Sequence, residues 1–249
     1  MWPFSTKKRL EESGLFQGFT DCHCHILPGV DDGVEAMDES LAILSRYEQL
    51  GVREVWLTPH IMEDVPNSTS GLRRRFAELS AAYQGPITLR LSAENMLDSL
   101  FHDRFLSGDL LPWGKDGDRL LVETSYYKAP SNFRDLLRSV RARGFFPILA
   151  HPERYLYMSQ QDFLDIKHEG VELQLNIFSL VGMYGYQAKS NADFLLKNGL
   201  YDYAATDLHA LEVLNSALQE KLSKKTADLI KLIFNRMAGA KASEKVRHI

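Results

Sequence analysis

Residues 21–33 read Asp-Cys-His-Cys-His-Ile-Leu-Pro-Gly-Val-Asp-Asp-Gly. His23 and His25 stand two apart in a strand-like run, so both imidazoles project from one face. Asp31 and Asp32 follow in a turn. Two imidazoles on one strand face beside carboxylates are the start of a divalent-metal site. Cys22 and Cys24 have the same spacing and predict a second shared face, two small apolar side chains packed against the outer layer. Their number and spacing support neither a disulfide framework nor a Cys-rich zinc site.

The ends of later strand-like segments supply more donors. They lead to His60, Glu94, Glu123, His151 and the pair Asp207 and His209. Alone, a His or Glu at a strand end is ordinarily a capping or solvated group, and Val-Asp-Asp-Gly alone is a turn. Five His and three acids at equivalent ends of successive units are not explained that way. His102, His168 and His248 fall in helix or tail patterns and are set aside. Mixed imidazole and carboxylate donors suit Zn, Mn or Fe(II). About eight donors exceed one ion's needs and match two or three, which together can activate water and hold attacking and leaving oxygens. The residues alone therefore predict a multinuclear metallohydrolase.

The elements that must position these donors alternate. Short apolar or β-branched runs at 19–24, 54–57, 87–93, 119–124, 146–150, 172–177 and 203–206 predict strands. Helical spacing covers 37–50, 72–83, 132–143, 161–168, 188–197 and one long helix at 216–237. Repeated βα units imply a parallel sheet, as an open doubly wound sheet or a closed barrel whose C-terminal strand edge carries the site. No Gly-x-Gly-x-x-Gly follows the first strand, which excludes a dinucleotide fingerprint. The 249 residues carry no Pro- or Ser-rich linker. They divide into an N-terminal arm (1–16) docked through Trp2 and Phe4, a single domain (17–238) and a polar tail (239–249) expected to be disordered. A net charge of −4 gives no support to nucleic-acid binding. The N-terminus lacks a secretory apolar region and the chain lacks an 18-residue apolar run, so a cytoplasmic location is expected.

The set His23-x-His25, Thr58-Pro59-His60, His151-Pro152-Glu153-Arg154-Tyr155 and Asp207-x-His209 resembles the PHP (polymerase and histidinol phosphatase) superfamily. With Ala93-Glu94-Asn95-Met96-Leu97 it is similar to the bacterial PHP-type protein tyrosine phosphatases of the capsular-polysaccharide CpsB/YwqE group. The similarity runs from about residue 17 to 210. It implies a distorted (β/α)7 TIM-like barrel, the PHP fold, with three divalent ions (Mn, Fe or Zn). By position, His23, His25, Glu94 and Asp207 would hold the first ion, and Glu94, Glu123 and His151 the second. His60, His209 and Asp32 would hold the third, with Asp31 orienting the loop. Arg154 matches the family's phosphate-binding Arg, and Asp207 is its expected companion in catalysis. The implied partner is the phosphotyrosine tail of a bacterial tyrosine autokinase that regulates capsule or exopolysaccharide assembly. Some members form homo-oligomers.

One departure stands out. Some members carry a phosphate-contacting Arg just beyond the last Asp-x-His. Here the next residues are Ala210-Leu211-Glu212-Val213-Leu214-Asn215, without Arg. Lys128, Arg73, Arg74 and Arg75 are the candidate substitutes. Within the same superfamily the rival function is a phosphoesterase for a small monoester such as histidinol phosphate, and the missing Arg supports a second rival, a weakly active phosphotyrosine-binding regulatory module.

Overall fold

The computed structural model describes residues 7–243. The predicted docking of Trp2 and Phe4, and the last six residues of the tail, lie outside that range. The strands are β1 (Lys7–Arg9), β2 (Thr20–Cys24), β3 (Glu54–Leu57), β4 (His60–Ile61), β5 (Thr88–Leu91), β6 (Glu94–Met96), β7 (Arg119–Glu123), β8 (Phe146–Ala150), β9 (Glu172–Asn176), β10 (Tyr203–Ala205) and β11 (Lys221–Ser223). The helices are α1 (Met37–Leu50), α2 (Thr69–Ala82), α3 (Ser99–Ser107), α4 (Phe133–Ala142), α5 (Gln160–His168), α6 (Ile177–Leu180), α7 (Gly185–Lys197), α8 (Leu211–Gln219) and α9 (Lys224–Ser243).

Strands β2, β3 and β5 form one parallel sheet, and β10-β9-β8-β7-β6-β4 a second. Only short breaks separate β3 from β4, at Thr58-Pro59, and β5 from β6, at Ser92-Ala93. Pro59 has no N–H to give to a ladder, yet its carbonyl accepts the Glu94 N–H at 3.1 Å and carries the pairing across the break. Each pair is thus one bent strand, which makes a ring of seven parallel strands.

The ring closes between β2 and the end of β10. Cys24 bridges Leu208 in parallel, His25 N–H donates to the Leu208 carbonyl at 2.8 Å, and Asp207 N–H to the His23 carbonyl at 2.9 Å. Asp21, fully buried, seals the same seam. Its carboxylate accepts the Thr206 N–H and hydroxyl at 3.0 and 2.6 Å and the Tyr47 hydroxyl of α1 at 2.8 Å. The closed (β/α)7 barrel expected from the resemblance is the architecture observed, and it decides against the open sheet.

Two expectations from periodicity need correction. Cys22 and Cys24 do not share a face. The β2–β3 register slips between Asp21 and Cys24, a bulge that sets Cys22 and His23 together opposite Trp56. Cys22 packs with Trp56, Leu121, Ile148, Ala150, Tyr203 and Ala205 in a cluster separate from the main core, the filling of the barrel. Cys24 belongs to the main core, between barrel and helices. The bulge lets consecutive residues 22 and 23 both point inward, which strict alternation forbids.

The long helix expected at 216–237 is two helices. After α8, residues 221–223 pair antiparallel with β1. Buried Leu222 anchors that strand, and the Ser223 hydroxyl accepts the Thr226 N–H at 3.1 Å to start α9. Apolar spacing continues through the break, so periodicity alone cannot detect a strand whose partner lies at the other end of the chain. Helix α9 runs to Ser243, beyond the boundary expected at 238. No helix among the described residues is long and apolar enough to cross a membrane.

Candidate metal centre and phosphate site

The C-terminal ends of the strands converge as donors. Nε2 of His23 and Nε2 of His25 lie 3.0 Å apart. The first is 3.2 Å from Glu94 Oε2 and 3.3 Å from Asp207 Oδ1, and the second is 3.3 Å from each. His60 Nδ1 approaches Glu94 Oε2 at 3.2 Å and Glu123 Oε1 at 2.9 Å. His151 Nε2 is 3.1 Å from Glu94 Oε1 and 3.8 Å from Glu123 Oε2. All of these residues are buried. Asp32, 68% exposed, forms the outer lip with its Oδ1 at 3.4 Å from His60 Nε2 and 3.6 Å from His209 Nε2.

Three groups each bring ligand atoms within 4.8 Å of one another: His23, His25, Glu94 and Asp207; His60, Glu94 and Glu123; and His25, Asp32, His60 and His209. The first is the set the resemblance implies for one ion. The other two differ in detail, because His60 lies nearer Glu123 than His151 does, and His25 reaches the outer group.

The donor set fits cations. His60 Nδ1, Glu94 Oε2, Glu123 Oε1 and Asp207 Oδ1 are buried and make no hydrogen bond, although they face one another and their neighbours closely. Buried polar atoms are rarely left this way unless an ion or water is their partner. The histidines are also set for coordination. His23 Nδ1 is 2.7 Å from Gln174 Oε1, His25 Nδ1 2.8 Å from Asp31 Oδ2, and His209 Nδ1 2.9 Å from the Asp207 carbonyl. Each acceptor draws the proton to Nδ1 and leaves the Nε2 lone pair for a metal. Asp31 also accepts the His60 and Gly33 N–H groups at 3.0 and 3.1 Å, so it ties the loop together as expected.

The electrostatics match. Burial opposes charge on His23, but Glu94 and Asp207 outweigh it and raise its pKa to about 9. Burial also opposes ionisation of Glu94 and Asp207, yet the surrounding histidines hold both below the ordinary carboxylate range. Glu123 is pushed up by burial and by Glu94. Burial and the neighbouring His25 lower His209 to about 4, which keeps its imidazole neutral. Two site residues, His151 (φ 33°) and Asp207 (φ 52°), adopt left-handed backbone, the described non-glycine residues that do so. Such strain is tolerated where a side chain must be aimed at a site.

Arg154 lies at the rim on a short 3-10 turn after His151. Its Nη1 donates to Asp207 Oδ2 at 2.7 Å, and Asn176 Nδ2 donates to the same oxygen at 3.1 Å. Its guanidinium carbon stands 4.4 Å from the Tyr126 ring centroid and 4.2 Å from that of Tyr184. Glu153, fully buried, turns away from Arg154 and accepts from Asn176 N, Ser179 Oγ and Tyr201 Oη. Of the candidate substitutes for the missing Arg, Arg75 is committed to the Pro28 carbonyl and Glu78. The chain after His209 is held by Glu39, which accepts the Leu211 N–H at 3.0 Å. Gln174, Asn176, Tyr126 and Tyr184 escaped sequence reasoning. Gln174 and Asn176 sit on β9, the one strand whose end had offered no His or acid.

The chain and its fold are similar to known proteins. The chain is 26% identical over 208 residues to the tyrosine-protein phosphatase YwqE of Bacillus subtilis, covering 81% of this chain and 82% of that protein. It is 25% identical over 212 residues to the tyrosine-protein phosphatase CpsB of Streptococcus agalactiae, covering 78% and 84%. The fold matches a chain from the solved structures of Bacillus subtilis YwqE and Streptococcus pneumoniae CpsB, described as unique metal-dependent tyrosine phosphatases. That match has a TM-score of 0.73 at 22% identity and covers 88% of this chain and 87% of that one. The family described as capsular polysaccharide synthesis, CpsB/CapC, matches residues 19–235. With nearly the whole barrel inside that match, this chain belongs to the CpsB/CapC capsular polysaccharide synthesis family.

Proposed function

We propose that this chain is a metal-dependent protein tyrosine phosphatase, acting on the phosphotyrosine tail of a bacterial tyrosine autokinase in capsule or exopolysaccharide synthesis. The observation that carries this function is the buried ring of His and carboxylate donors with the Arg154 guanidinium at its rim. Family membership and the tyrosine-phosphatase relatives support it.

His23, His25, Glu94 and Asp207 would hold one divalent ion. Glu94 and Glu123 with His60 or His151 would hold a second, and Asp32, His60 and His209 a third. Such ions supply positive charge for phosphoryl oxygens and make an attacking water more acidic. The chain does the rest. Gln174 and Asp31 fix the tautomers of His23 and His25. Arg154 stays charged, because the nearby Asp207 carboxylate outweighs the effect of its burial. Its planar fork can bind phosphoryl oxygens and stabilise charge that grows in the transition state. The leaving phenol has an ordinary pKa of about 10 and departs readily for a monoester.

A cysteine nucleophile is excluded on geometry. Cys22 and Cys24 are fully buried, and burial pushes the Cys24 thiol well above its usual range. A nucleophilic thiolate needs access and a depressed pKa.

The test is hydrolysis of a phosphotyrosine peptide by the purified protein with manganese. Activity should vanish with chelator and with His25→Ala. Unchanged rates under either treatment would sink the metal mechanism. Faster turnover of histidinol phosphate than of the peptide would overturn the substrate class, and tight peptide binding without turnover would favour a regulatory module.

A further inference from the structure

Arg154 is a cation at the rim of the candidate metal centre, and its side chain is largely enclosed. The rings of Tyr126 and Tyr184 both lie against it, with centroids 4.4 and 4.2 Å from the guanidinium carbon. Its edge points to Asp207 Oδ2 at 2.7 Å. The clamp is itself anchored. Tyr126 stacks on fully buried Tyr155 at 6.0 Å and lies 5.7 Å from the His151 ring. The Tyr184 hydroxyl accepts the Asn176 Nδ2 hydrogen at 3.2 Å, and the same amide donates to Asp207. One ring is therefore fixed to the His151 side of the centre and the other to the Asp207 side.

We propose that Tyr126 and Tyr184 are positioning residues of the phosphate site, clamping the Arg154 guanidinium so that only its N–H edge can engage anions. This proposal rests on the phosphatase function above. Arg has several rotatable bonds, and a free one loses conformational entropy when it binds a phosphoryl group. A guanidinium already held against two π-faces and by an anionic partner at its edge has lost much of that freedom beforehand. Its edge then exchanges one anionic partner, Asp207, for phosphoryl oxygens without leaving its plane. The clamp also bears on the missing second Arg. A single preorganised guanidinium binds more tightly than a single mobile one, so the chain needs less help from a second cation.

The experiment uses the full chain loaded with manganese. Inorganic phosphate binding is measured by calorimetry, and kcat and KM on a phosphotyrosine peptide by phosphate release. Metal content and melting midpoint are followed in parallel. Tyr126→Leu and Tyr184→Leu should each weaken phosphate binding about 10-fold and raise KM comparably, with metal content kept, as expected for loss of a partly desolvated cation–π contact. Tyr126→Phe and Tyr184→Phe should restore most of the affinity, since the ring face is the clamp. Tyr126→Met and Tyr184→Met replace any leucine variant that melts early.

Leucine and methionine variants that bind phosphate as the wild type does would overturn the proposal. So would phenylalanine variants as weak as the leucine ones, which would assign the effect to the hydroxyls. Wild-type protein that binds phosphate but hydrolyses no aryl phosphate would sink the phosphatase function, while the affinity series would still decide the clamp.

Discussion

Gln174 Oε1 lies 2.7 Å from His23 Nδ1, inside the barrel, and Gln174 Nε2 lies 3.4 Å from Cys22 Sγ. One amide thus serves two consecutive residues of β2, which is possible because the bulge turns both inward. The amide oxygen sets the imidazole tautomer, so Gln174 orients a candidate metal ligand without being one. Gln174→Leu fills a similar volume and removes the acceptor. Affinity for manganese should fall by about 10- to 100-fold, the usual cost of losing such a partner. Competition against a fluorescent chelator measures it, and an unchanged affinity would show that His23 needs no orienting acceptor.

The closing seam makes a separate prediction about stability. The Asp21 carboxylate is fully buried and is held by Thr206 and by Tyr47. Burial raises its pKa, and these three hydrogen bonds are what make the carboxylate tolerable there. Thr206→Val removes the hydroxyl, and Tyr47→Phe the phenol, each leaving a buried acceptor short of a donor. Each should cost about 1–3 kcal/mol. Urea denaturation with unchanged slope reads it. A loss below about 0.5 kcal/mol in both, the lower end for a single hydrogen bond, would mean that the backbone bonds alone close the barrel.

Much of this architecture was legible because the barrel places its chemistry at strand ends. His60, Glu94, Glu123, His151 and Asp207 stand out as the polar residues at or just beyond the ends of apolar runs, and all of them converge. The hidden features depend on partners far away in sequence. The Cys22–His23 bulge exists only relative to Trp56, and periodicity within β2 gives no sign of it. The break between α8 and α9 exists because residues 221–223 pair with residues 7–9. Gln174 and Asn176 look like ordinary polar residues of a strand until His23 and Asp207 are placed beside them.

Gly33 ends the acidic loop, and a side chain there has no space. A Cβ would lie 2.0 Å from the His25 carbonyl oxygen and 2.6 Å from the His25 Cβ. That carbonyl accepts the Val34 N–H at 3.0 Å, so the obstacle is backbone held in place. Gly33→Ala must push the loop away from His25, and with it Asp31 and Asp32. Stability should fall by about 1–3 kcal/mol in chelator. Manganese binding should weaken as well, because Asp31 no longer orients His25. A variant that melts and binds manganese like the wild type would show that the loop shifts freely.

Metal removal and pH should act together through His23. Its folded pKa is raised to about 9 by Glu94 and Asp207 against the effect of burial. An unfolded His titrates near about 6.5. A base whose pKa is raised on folding contributes stability that is complete below the unfolded value and lost as pH climbs through the folded one. His25 and His60 are raised in the same direction by their carboxylate partners, although burial opposes it. Chelated protein should therefore lose stability from about pH 6.5 to 9, as the protons that balance Glu94 and Asp207 leave. A bound divalent ion supplies that balancing charge without titrating, so manganese-loaded protein should hold its melting midpoint over the same window. Thermal melts in chelator and in manganese should show a gap that widens with pH up to about 9. A gap that narrows would mean that protons on these imidazoles do not stabilise the metal-free fold.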